Sequence, residues 1–217
     1  MEHYGRQGWW PLKSRAGEAG FDARGYHPGI YHRPETQAER FEVALGAVLT
    51  QNTTWQNAEK ALDRLIAVGM TAPDRITACR LDRLGALIRS SGYYNQKALK
   101  LKYLAGYFCN WSTSREALLE LWGIGPETAD SILLYAFLQP VFVVDRYTCR
   151  LVRRLFDDAP GNRDIRARFM ETLPADPVMF NEYHALIVHH AKLHCRITPL
   201  CAGCPLFGFP CKQRERG

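Results

Sequence analysis

The hydrophobic positions along most of the chain recur with the spacing of helices. From Phe41 to Leu49 nearly every position is apolar, which predicts a helix buried on almost all sides. Further on, apolar residues lie three and four positions apart, as they do on amphipathic helices. This spacing predicts helices at about 58–69, 81–90, 98–108, 115–122, 126–138, 151–156, 162–173 and 178–194. Because no paired strands and no internal repeat are visible, the pattern predicts an all-α fold.

Two segments lack the helical period. Residues 1–40 are rich in Gly, Pro, His and Arg, which predicts a loop-rich arm. Residues 139–145 (QPVFVVD) form a short apolar run that could be a strand, but its isolation favours a buried connector.

Charge and composition narrow the function. The 217 residues can build one large or two small domains, and they carry a formal net charge of +6. Such a basic balance favours an acidic partner, nucleic acid first, although a merely basic protein is the alternative. No apolar run is long enough to span a bilayer, and no signal peptide is visible after Met1. We therefore expect a cytoplasmic protein that contacts no membrane, associated with the nucleoid if the cell is prokaryotic.

The stretch LWGIGPETAD (121–130) predicts a tight turn between two helices. Gly123 and Gly125 can adopt positive φ, and Pro126 suits the first turn of a helix because its missing N–H is not needed there. Such a turn presents unpaired N–H groups at a helix N-terminus, where anions bind. In a basic protein the natural anion is a DNA phosphate. A plain helix–helix turn with a glycine cap is the alternative.

Asp145 follows this turn, at the end of the apolar run and ahead of a helix that bears Arg146, Arg150, Arg153 and Arg154. It could serve only as the N-cap of that helix. Held among apolar side chains beside a DNA-binding turn, it could also orient a water or stabilise a cationic sugar as a base departs. The residues by themselves leave both roles open.

Four of the chain's cysteines crowd its C-terminal part: Cys195, Cys201, Cys204 and Cys211. In a reducing compartment such crowding indicates a metal site more often than disulfides. Short proline-containing loops between them suit a tetrahedral metal or a [4Fe–4S] cluster, and spacing alone does not decide between iron–sulfur and zinc. His189, His190 and His194 lie close by, and we expect them on a helix surface or facing DNA rather than on the metal.

Taken together, these motifs resemble the helix-hairpin-helix DNA glycosylases of the endonuclease III type, over about residues 41–211. The segments GWWP, LTQNTTW, SGYYNQKA, GIGPETADSILLYA and VFVVDRYT further resemble the branch that contains the helix-hairpin-helix 3-methyladenine DNA glycosylases. The resemblance implies a two-domain, endonuclease III-like fold. A six-helix barrel domain would cover 41–140, with the helix-hairpin-helix at about 116–136. A cluster domain would combine 1–40 with 141–217 and carry the iron–sulfur loop at 195–211.

The resemblance also implies a monomer that binds double-stranded DNA through particular residues. Gly123 and Gly125, with Thr128 beside them, match the phosphate-binding hairpin. Gln51 matches the residue that fills the gap left by the flipped nucleotide, and Tyr93 matches the residue that wedges into the opposite strand.

Catalysis follows the family pattern with one departure. Asp145 matches the catalytic aspartate, but Glu127 occupies the place of the lysine that forms a Schiff base in endonuclease III. Because a carboxylate cannot form an imine, this difference predicts a monofunctional glycosylase that leaves an abasic site. Glu127 could also simply complement the helix dipole in the first turn.

The cysteine loop departs from the family in its spacing. Its four cysteines match the [4Fe–4S] ligands, but they follow the pattern C-x5-C-x2-C-x6-C where x6, x2 and x5 are usual. This difference keeps zinc as the alternative cofactor. Residues 12–38 have no clear counterpart in the family and could be an insertion beside the pocket.

The aromatic residues indicate which base is released. Trp55 and Tyr31 are candidates to stack on an extruded base, and the resemblance to the family adds Trp9 and Trp10; core packing is the alternative for each. Electron-rich rings favour a cationic base. We therefore predict a base-excision-repair glycosylase for alkylated purines such as 3-methyladenine. The alternatives are an endonuclease III-type enzyme for oxidised or mismatched pyrimidines, a non-catalytic DNA-binding iron–sulfur protein and a zinc-bound DNA-binding module.

Overall fold

The computed structural model describes residues 2–110, 113–156 and 161–211, and every regular element in these ranges is helical. The helices are α1 (Gln37–Leu49), α2 (Trp55–Ala67), α3 (Pro73–Ala78), α4 (Leu81–Leu87), α5 (Tyr94–Cys109), α6 (Arg115–Glu120), α7 (Pro126–Ser131), α8 (Arg146–Leu155), α9 (Asn162–Thr172) and α10 (Pro177–Leu193). Short 3-10 turns lie at Lys13–Arg15 and Arg89–Ser91. The predicted all-α fold is confirmed. Residues 157–160 and 212–217 of the predicted cluster domain lie outside the described residues.

Local sequence signals explain where several helices begin. α1 starts at a capping box, in which Thr36 accepts from the Glu39 N–H and the Glu39 carboxylate accepts from the Thr36 N–H. The side chains of Thr54 and Ser114 cap α2 and α6. Each cap satisfies an N–H group that the helix itself leaves without a partner.

Several helical segments differ from the predicted ones, and α5 and α8 begin at Tyr94 and Arg146 rather than at 98 and 151. α1 begins at Gln37 rather than Phe41, because the polar residues ahead of Phe41 complete the capping turn. The apolar spacing does not predict α3, since its sequence PDRITA contains only one large apolar residue, Ile76. The predicted helix 126–138 consists of α7 followed by a π-helical segment, Ile132–Ala136.

One hydrophobic core joins the helices to the N-terminal arm. Phe41 of α1 and Phe108 of α5 are fully buried at its centre, and Trp10 and Leu12 of the arm belong to the same core. A smaller cluster lies between α8 and α9 and consists of Cys149, Val152 and Ile165. The arm is loop-rich, as predicted, but it is packed into the molecule.

Both ends of the arm are tied to helices. Near its start, the buried Glu182 carboxylate of α10 accepts from the Gln7 N–H at 3.0 Å. Farther along, Lys13 and Arg24 both form ion pairs with Glu59 of α2. These ion pairs hold the first half of segment 12–38 against α2, whereas Tyr31 and Arg33 of its second half contact α10 and α1. The division into a barrel domain and a cluster domain stays a prediction.

Residues 139–145 form the connector that leads to α8. In the described part of the chain this run pairs with no strand, so the connector interpretation is the correct one. Phe142 anchors it, because its ring stacks on Phe169 of α9 with centroids 4.0 Å apart and an interplanar angle of 2°. The connector delivers Asp145 to the start of α8. Among the described helices, none is long and apolar enough to cross a membrane.

Candidate active site

Asp145 caps α8 and is almost completely buried. Its Oδ1 accepts from the Thr148 N–H at 2.7 Å and from the Thr148 hydroxyl at 2.9 Å, which is the N-cap geometry that the sequence predicts. Burial pushes the pKa of Asp145 upward, but the His184 imidazole and the Thr148 hydrogen bonds outweigh it and hold the pKa below its ordinary value. The residue is therefore both a structural cap and a buried, ionised carboxylate.

Two residues that the sequence analysis did not identify, His184 and Tyr135, lie near Asp145 and contact each other. His184 of α10 places its Nε2 3.7 Å from Asp145 Oδ2, and its Nδ1 lies 2.6 Å from the Tyr135 hydroxyl. Burial raises the pKa of Tyr135 well above its ordinary value, so the phenol stays protonated and can donate to Nδ1. With Tyr135 donating, His184 Nε2 carries the hydrogen that faces Asp145. A polar His184 on the buried face of α10 was the available sequence signal.

Tyr135 lies in the π-helical segment that continues α7. The wider turn changes which residues share a face, so the spacing of apolar positions does not place Tyr135 toward α10. This geometry explains why the contact of Tyr135 with His184, and of His184 with Asp145, can be recognised only in the structure.

A wide cleft of about 620 Å³ opens beside Asp145. Glu127 lines one side of it, and α8 contributes Arg146, Arg150, Arg153 and Arg154. Glu127 is exposed at the surface of the chain, yet inside the cleft partial desolvation and the Asp145 charge raise its pKa above the ordinary value. The cleft thus combines two carboxylates with a row of guanidinium groups that suits phosphate.

The hairpin glycines differ in conformation. Gly123 has φ of +81°, as the sequence predicts, and a Cβ there would lie 2.4 Å from Lys100 Cε. Gly125 has φ of −93° and does not use the positive φ that a glycine permits, because it is the extended N-cap residue of α7. A Cβ on Gly125 would meet nothing within 4 Å. Gly123 is needed for the turn, whereas Gly125 leaves open space in front of the α7 N-terminus.

Gln51 is held against the hairpin by three hydrogen bonds. Its Nε2 donates to Gly123 O at 3.1 Å and to Thr128 Oγ1 at 2.9 Å, and Lys100 Nζ donates to its Oε1 at 2.6 Å. Thr128 is buried, so its contact in this structure is with Gln51. The structure therefore brings Gln51, Thr128 and Gly123 together at one point.

Tyr93 lies on a different loop, immediately before α5. Its backbone has φ of +47° in the left-handed region, and 67% of its side chain is exposed. An exposed aromatic ring in a conformation that ordinary residues avoid is typical of a functional position.

The three predicted pocket tryptophans form one aromatic cluster with Tyr135. Trp10 is buried and lies 5.5 Å from Trp55 and 5.2 Å from Tyr135, measured between ring centroids. Trp9 lies edge-on to His184 at 5.8 Å. Through His184 the cluster reaches Asp145.

Tyr31, the fourth aromatic candidate, is engaged elsewhere. Its hydroxyl donates to the Glu182 carboxylate at 3.0 Å, and Arg6 lies over its ring. Burial and Glu182 together raise the pKa of Tyr31 to about 12. Its contacts therefore anchor the N-terminal arm.

The four cysteines line one small cavity of about 30 Å³, together with Leu151 and Leu206. Within the described ranges, no group of three or more His, Cys, Asp or Glu side chains is arranged around a single metal ion. Thiolate is the donor that both iron–sulfur clusters and structural zinc sites use, so this donor set fits either group.

Side chains from two helices support the cysteine loop. Arg154 of α8 donates to Cys195 Sγ at 3.1 Å, and Arg150 donates to Cys195 O at 2.7 Å. His190 of α10 is buried, with Nδ1 2.9 Å from the Tyr4 hydroxyl and Nε2 3.9 Å from Cys204 Sγ. The prediction of a surface position is therefore wrong for His190. The prediction fails because the N-terminal arm covers that face of α10.

Comparison with known proteins gives one family match and several relatives. Residues 45–175 match the HhH-GPD superfamily of base excision DNA repair proteins. A protein of Methanocaldococcus jannaschii named as a DNA repair glycosylase is 36% identical, over 96% of this chain and 91% of that relative. The endonuclease III of Sulfolobus acidocaldarius is 30% identical, over 79% of this chain and 81% of that relative.

Two solved structures share the fold. One is the 3-methyladenine DNA glycosylase MagIII of H. pylori bound to 1,N6-ethenoadenine, with 27% identity and a TM-score of 0.62 over 75% of this chain and 91% of that one. The other is a trapped endonuclease III–DNA covalent intermediate, with 23% identity and a TM-score of 0.72 over 86% of this chain and 92% of that one.

Proposed function

The chain belongs to the HhH-GPD superfamily of base excision DNA repair proteins, and we propose that within it the protein is a monofunctional glycosylase that releases alkylated purines such as 3-methyladenine. The family and the endonuclease III-like fold expected from the motifs are confirmed. The protein is therefore a DNA glycosylase that binds DNA. The observation that carries the finer proposal is Glu127, a carboxylate in the hairpin beside the buried Asp145.

Asp145 is the residue to which we assign base release. Its lowered pKa keeps it ionised at neutral pH, so it can stabilise positive charge on the sugar as the glycosidic bond breaks. The base leaves with the bonding electrons, and a water oxygen adds to the sugar carbon. The water proton passes to Asp145 or to solvent. The products are a free base and an abasic site.

The cleft offers no amine for strand cleavage. Among the described residues that line it, the charged side chains are two carboxylates and four guanidinium groups, and none is a lysine. An imine to the sugar requires a primary amine, which neither group provides. This composition supports hydrolysis without cutting of the strand.

The aromatic cluster supports a cationic substrate. Trp9, Trp10 and Trp55 pack together, Trp9 lies edge-on to the His184 ring, and electron-rich rings attract a positively charged base. An N-alkylated purine carries such a charge, which also weakens its glycosidic bond. The similarity to the H. pylori 3-methyladenine glycosylase agrees with this substrate class.

We assign DNA binding to three features of the described chain. The α7 N-terminus behind Gly125 would take a phosphate through its N–H groups, and Arg146 and Arg153 of α8, which do not hold the cysteine loop, would take further phosphates. Gln51 would enter the gap left by the extruded nucleotide and Tyr93 the opposite strand. This division of labour requires double-stranded DNA and one protein molecule per lesion, so we expect a monomer that acts at the nucleoid in a prokaryotic cell.

A [4Fe–4S] cluster is the cofactor that the cysteine loop fits best. Cys195, Cys201, Cys204 and Cys211 would hold it, and it would stabilise the loop that Arg150 and Arg154 attach to α8. A zinc ion is the alternative, because four thiolates also form structural zinc sites.

Base release from methylated duplex DNA tests the proposal. Purified protein is incubated with the DNA, free bases are separated by chromatography, and strand breaks are scored before and after alkali. We expect 3-methyladenine without breaks until alkali is added. Asp145→Asn should abolish release while keeping the fold, because Asn caps helices as well as Asp does. Asp176→Asn, at the N-cap of α10, is the matched control and should remain active.

A second candidate is an endonuclease III-type enzyme for oxidised or mismatched pyrimidines, favoured by the identity to the Sulfolobus acidocaldarius protein. Duplexes with thymine glycol, uracil or a G·T mismatch test it in the same assay. Direct nicking with borohydride-trapped covalent product would favour this candidate and point to an amine outside the hairpin. Lys192, whose ammonium lies 6.0 Å from the Trp9 ring centroid, would be the first to replace. No release of any base, with DNA binding intact, would indicate a non-catalytic DNA-binding protein.

A further inference from the structure

We propose that Lys97 is a positioning residue that couples the two DNA-penetrating loops through one buried ammonium group. The inference rests on the proposed function, which assigns Gln51 to the gap left by the extruded nucleotide and Tyr93 to the opposite strand. Base release as described above makes no use of Lys97.

The contacts of Lys97 reach both loops at once. Its Nζ donates to Leu49 O at 2.7 Å and to Ser91 O at 2.6 Å. Leu49 lies two residues before Gln51, and Ser91 lies two residues before Tyr93. A single charged group thus joins the two backbone segments that carry Gln51 and Tyr93.

A buried ammonium in this position needs a reason, because burying a charge is costly unless it is paired. Lys97 is 2% exposed, and burial together with the nearby Lys100 charge lowers its pKa to about 8. Its two acceptors are carbonyls, one of them at the C-terminal end of α1, where a helix favours a cation. Packing alone would be satisfied by an apolar side chain of similar length.

Both loops adopt backbone conformations that need support. Asn52 has φ of 51°, and Gly92 and Tyr93 follow each other with φ of 68° and 47°. Such left-handed residues persist only when neighbouring structure holds them. The Lys97 ammonium binds the chain one residue before Gly92 and three residues before Asn52.

α5 forms the shared support for these contacts. One turn beyond Lys97, Lys100 Nζ donates to Gln51 Oε1, so the two lysines fix the backbone and the side chain of the same loop. The Lys97 N–H also donates to Tyr93 O at 2.9 Å. The first turn of α5 therefore sets the distance between Gln51 and Tyr93.

This coupling has a consequence for base extrusion. Gln51 and Tyr93 must enter the duplex at a fixed separation, and extrusion must be completed before the chemical step. Loss of the ammonium should impair release of a base that has to be unpaired and extruded. The same loss should have little effect on the release of a base that lies opposite an abasic site, because that base does not have to be unpaired.

Hydrogen exchange tests the coupling without reference to activity. Lys97→Met is compared with Lys102→Met on the same helix, whose Nζ contacts only Thr77 O among the described residues. We expect the amides of 49–52 and of 91–93 to exchange about tenfold faster together in Lys97→Met, because two carbonyls lose their donor. Lys102→Met should leave both loops unchanged. Acceleration in only one loop, or in neither, overturns the proposal.

Base release supplies the second readout. We expect Lys97→Met to lower release of an alkylated purine opposite its normal partner by about tenfold or more, and release opposite an abasic site by less than about threefold. Equal losses on both duplexes would indicate a merely structural role and overturn the proposal. If Lys97→Met does not fold, Lys97→Gln, which keeps an amide donor, is measured in the same way. If the wild type releases no base, the proposed function fails, and the hydrogen-exchange result still decides the coupling.

Discussion

Alanine substitutions at the two hairpin glycines separate the stability of the fold from contact with phosphate. In Gly123→Ala the new Cβ would lie 2.4 Å from Lys100 Cε, on a backbone with φ of +81°. Lys100 would have to move, and it holds Gln51 through a 2.6 Å hydrogen bond. In Gly125→Ala the new Cβ meets nothing within 4 Å, on a backbone with φ of −93° that any residue adopts.

The size of each effect follows from these differences. A left-handed conformation costs an alanine about 1–2 kcal/mol, and losing the Lys100–Gln51 contact adds about 1 kcal/mol. A chain of this size loses roughly 2–4 °C in Tm per kcal/mol, so Gly123→Ala should lower Tm by about 4–12 °C. Gly125→Ala should change the free energy of unfolding by less than about 0.5 kcal/mol, since nothing in the fold opposes it.

In DNA binding, the effect of Gly125→Ala should be the one that its position at the α7 N-terminus predicts, although the variant leaves stability unchanged. The Gly125 Cβ would occupy the space in front of the α7 N–H groups, where a phosphate has to approach. We expect Gly125→Ala to weaken duplex binding by about tenfold with an unchanged Tm, which is the loss of about one good hydrogen bond to a charged group. Circular dichroism on heating gives Tm, and fluorescence anisotropy at one fixed salt concentration gives Kd.

Two outcomes would refute this reasoning. If Gly125→Ala lowers Tm as much as Gly123→Ala, the conformations assigned to the hairpin are wrong. If Gly125→Ala binds duplex DNA as tightly as the wild type, the α7 N-terminus is not the phosphate site.

Four further predictions concern Asp145, its neighbour His184, Glu127 and the cysteine loop. Because the folded pKa of Asp145 is depressed, both its contribution to stability and base release should persist at neutral pH and be lost only as pH falls below about 4. His184→Gln removes the imidazole beside that carboxylate, so the acid limb of the pH–rate profile should move to higher pH, while an unmoved limb would count against the contact. Glu127→Lys should introduce an amine beside Asp145 and produce a covalent complex with DNA that borohydride traps. Glu127→Gln should still release base without nicking. Failure of the lysine variant to form the trapped complex would contradict the position assigned to residue 127. Cys204→Ser should lose the broad visible absorption expected of an iron–sulfur protein and should unfold at a lower temperature. Cys109→Ser, which replaces an exposed cysteine outside the loop, is the control. Zinc in the purified wild type, without visible absorption, would replace the cluster assignment.

Much of the candidate site could be predicted because its parts are local. Asp145 as an N-cap, Gly123 at a positive φ and the four cysteines are each signalled by residue type and spacing within about twenty positions. The conformation of Gly125 stayed open in the sequence, since a glycine permits positive φ without requiring it. α3 was missed because its sequence PDRITA contains only one large apolar residue, Ile76.

Other parts of the site depend on contacts between residues far apart in the chain. His184 meets Asp145 from a helix about forty residues later, and it reaches Tyr135 because a π-helical turn redirects that side chain. His190 is buried because the arm folds over it. No pattern within α10 reveals what covers each of its faces.

The sequence by itself determined the helices, the hairpin, the buried carboxylate and the thiol set, because each depends on local backbone preference or on residue chemistry. The tertiary structure decided which groups act together: Tyr135 with His184 and Asp145, Gln51 with Thr128, and Lys97 with both penetrating loops. The physical reason is that periodicity specifies which face of a helix is apolar, whereas hydrogen bonds and pKa values depend on which atoms the packed helices bring within about 3 Å of one another.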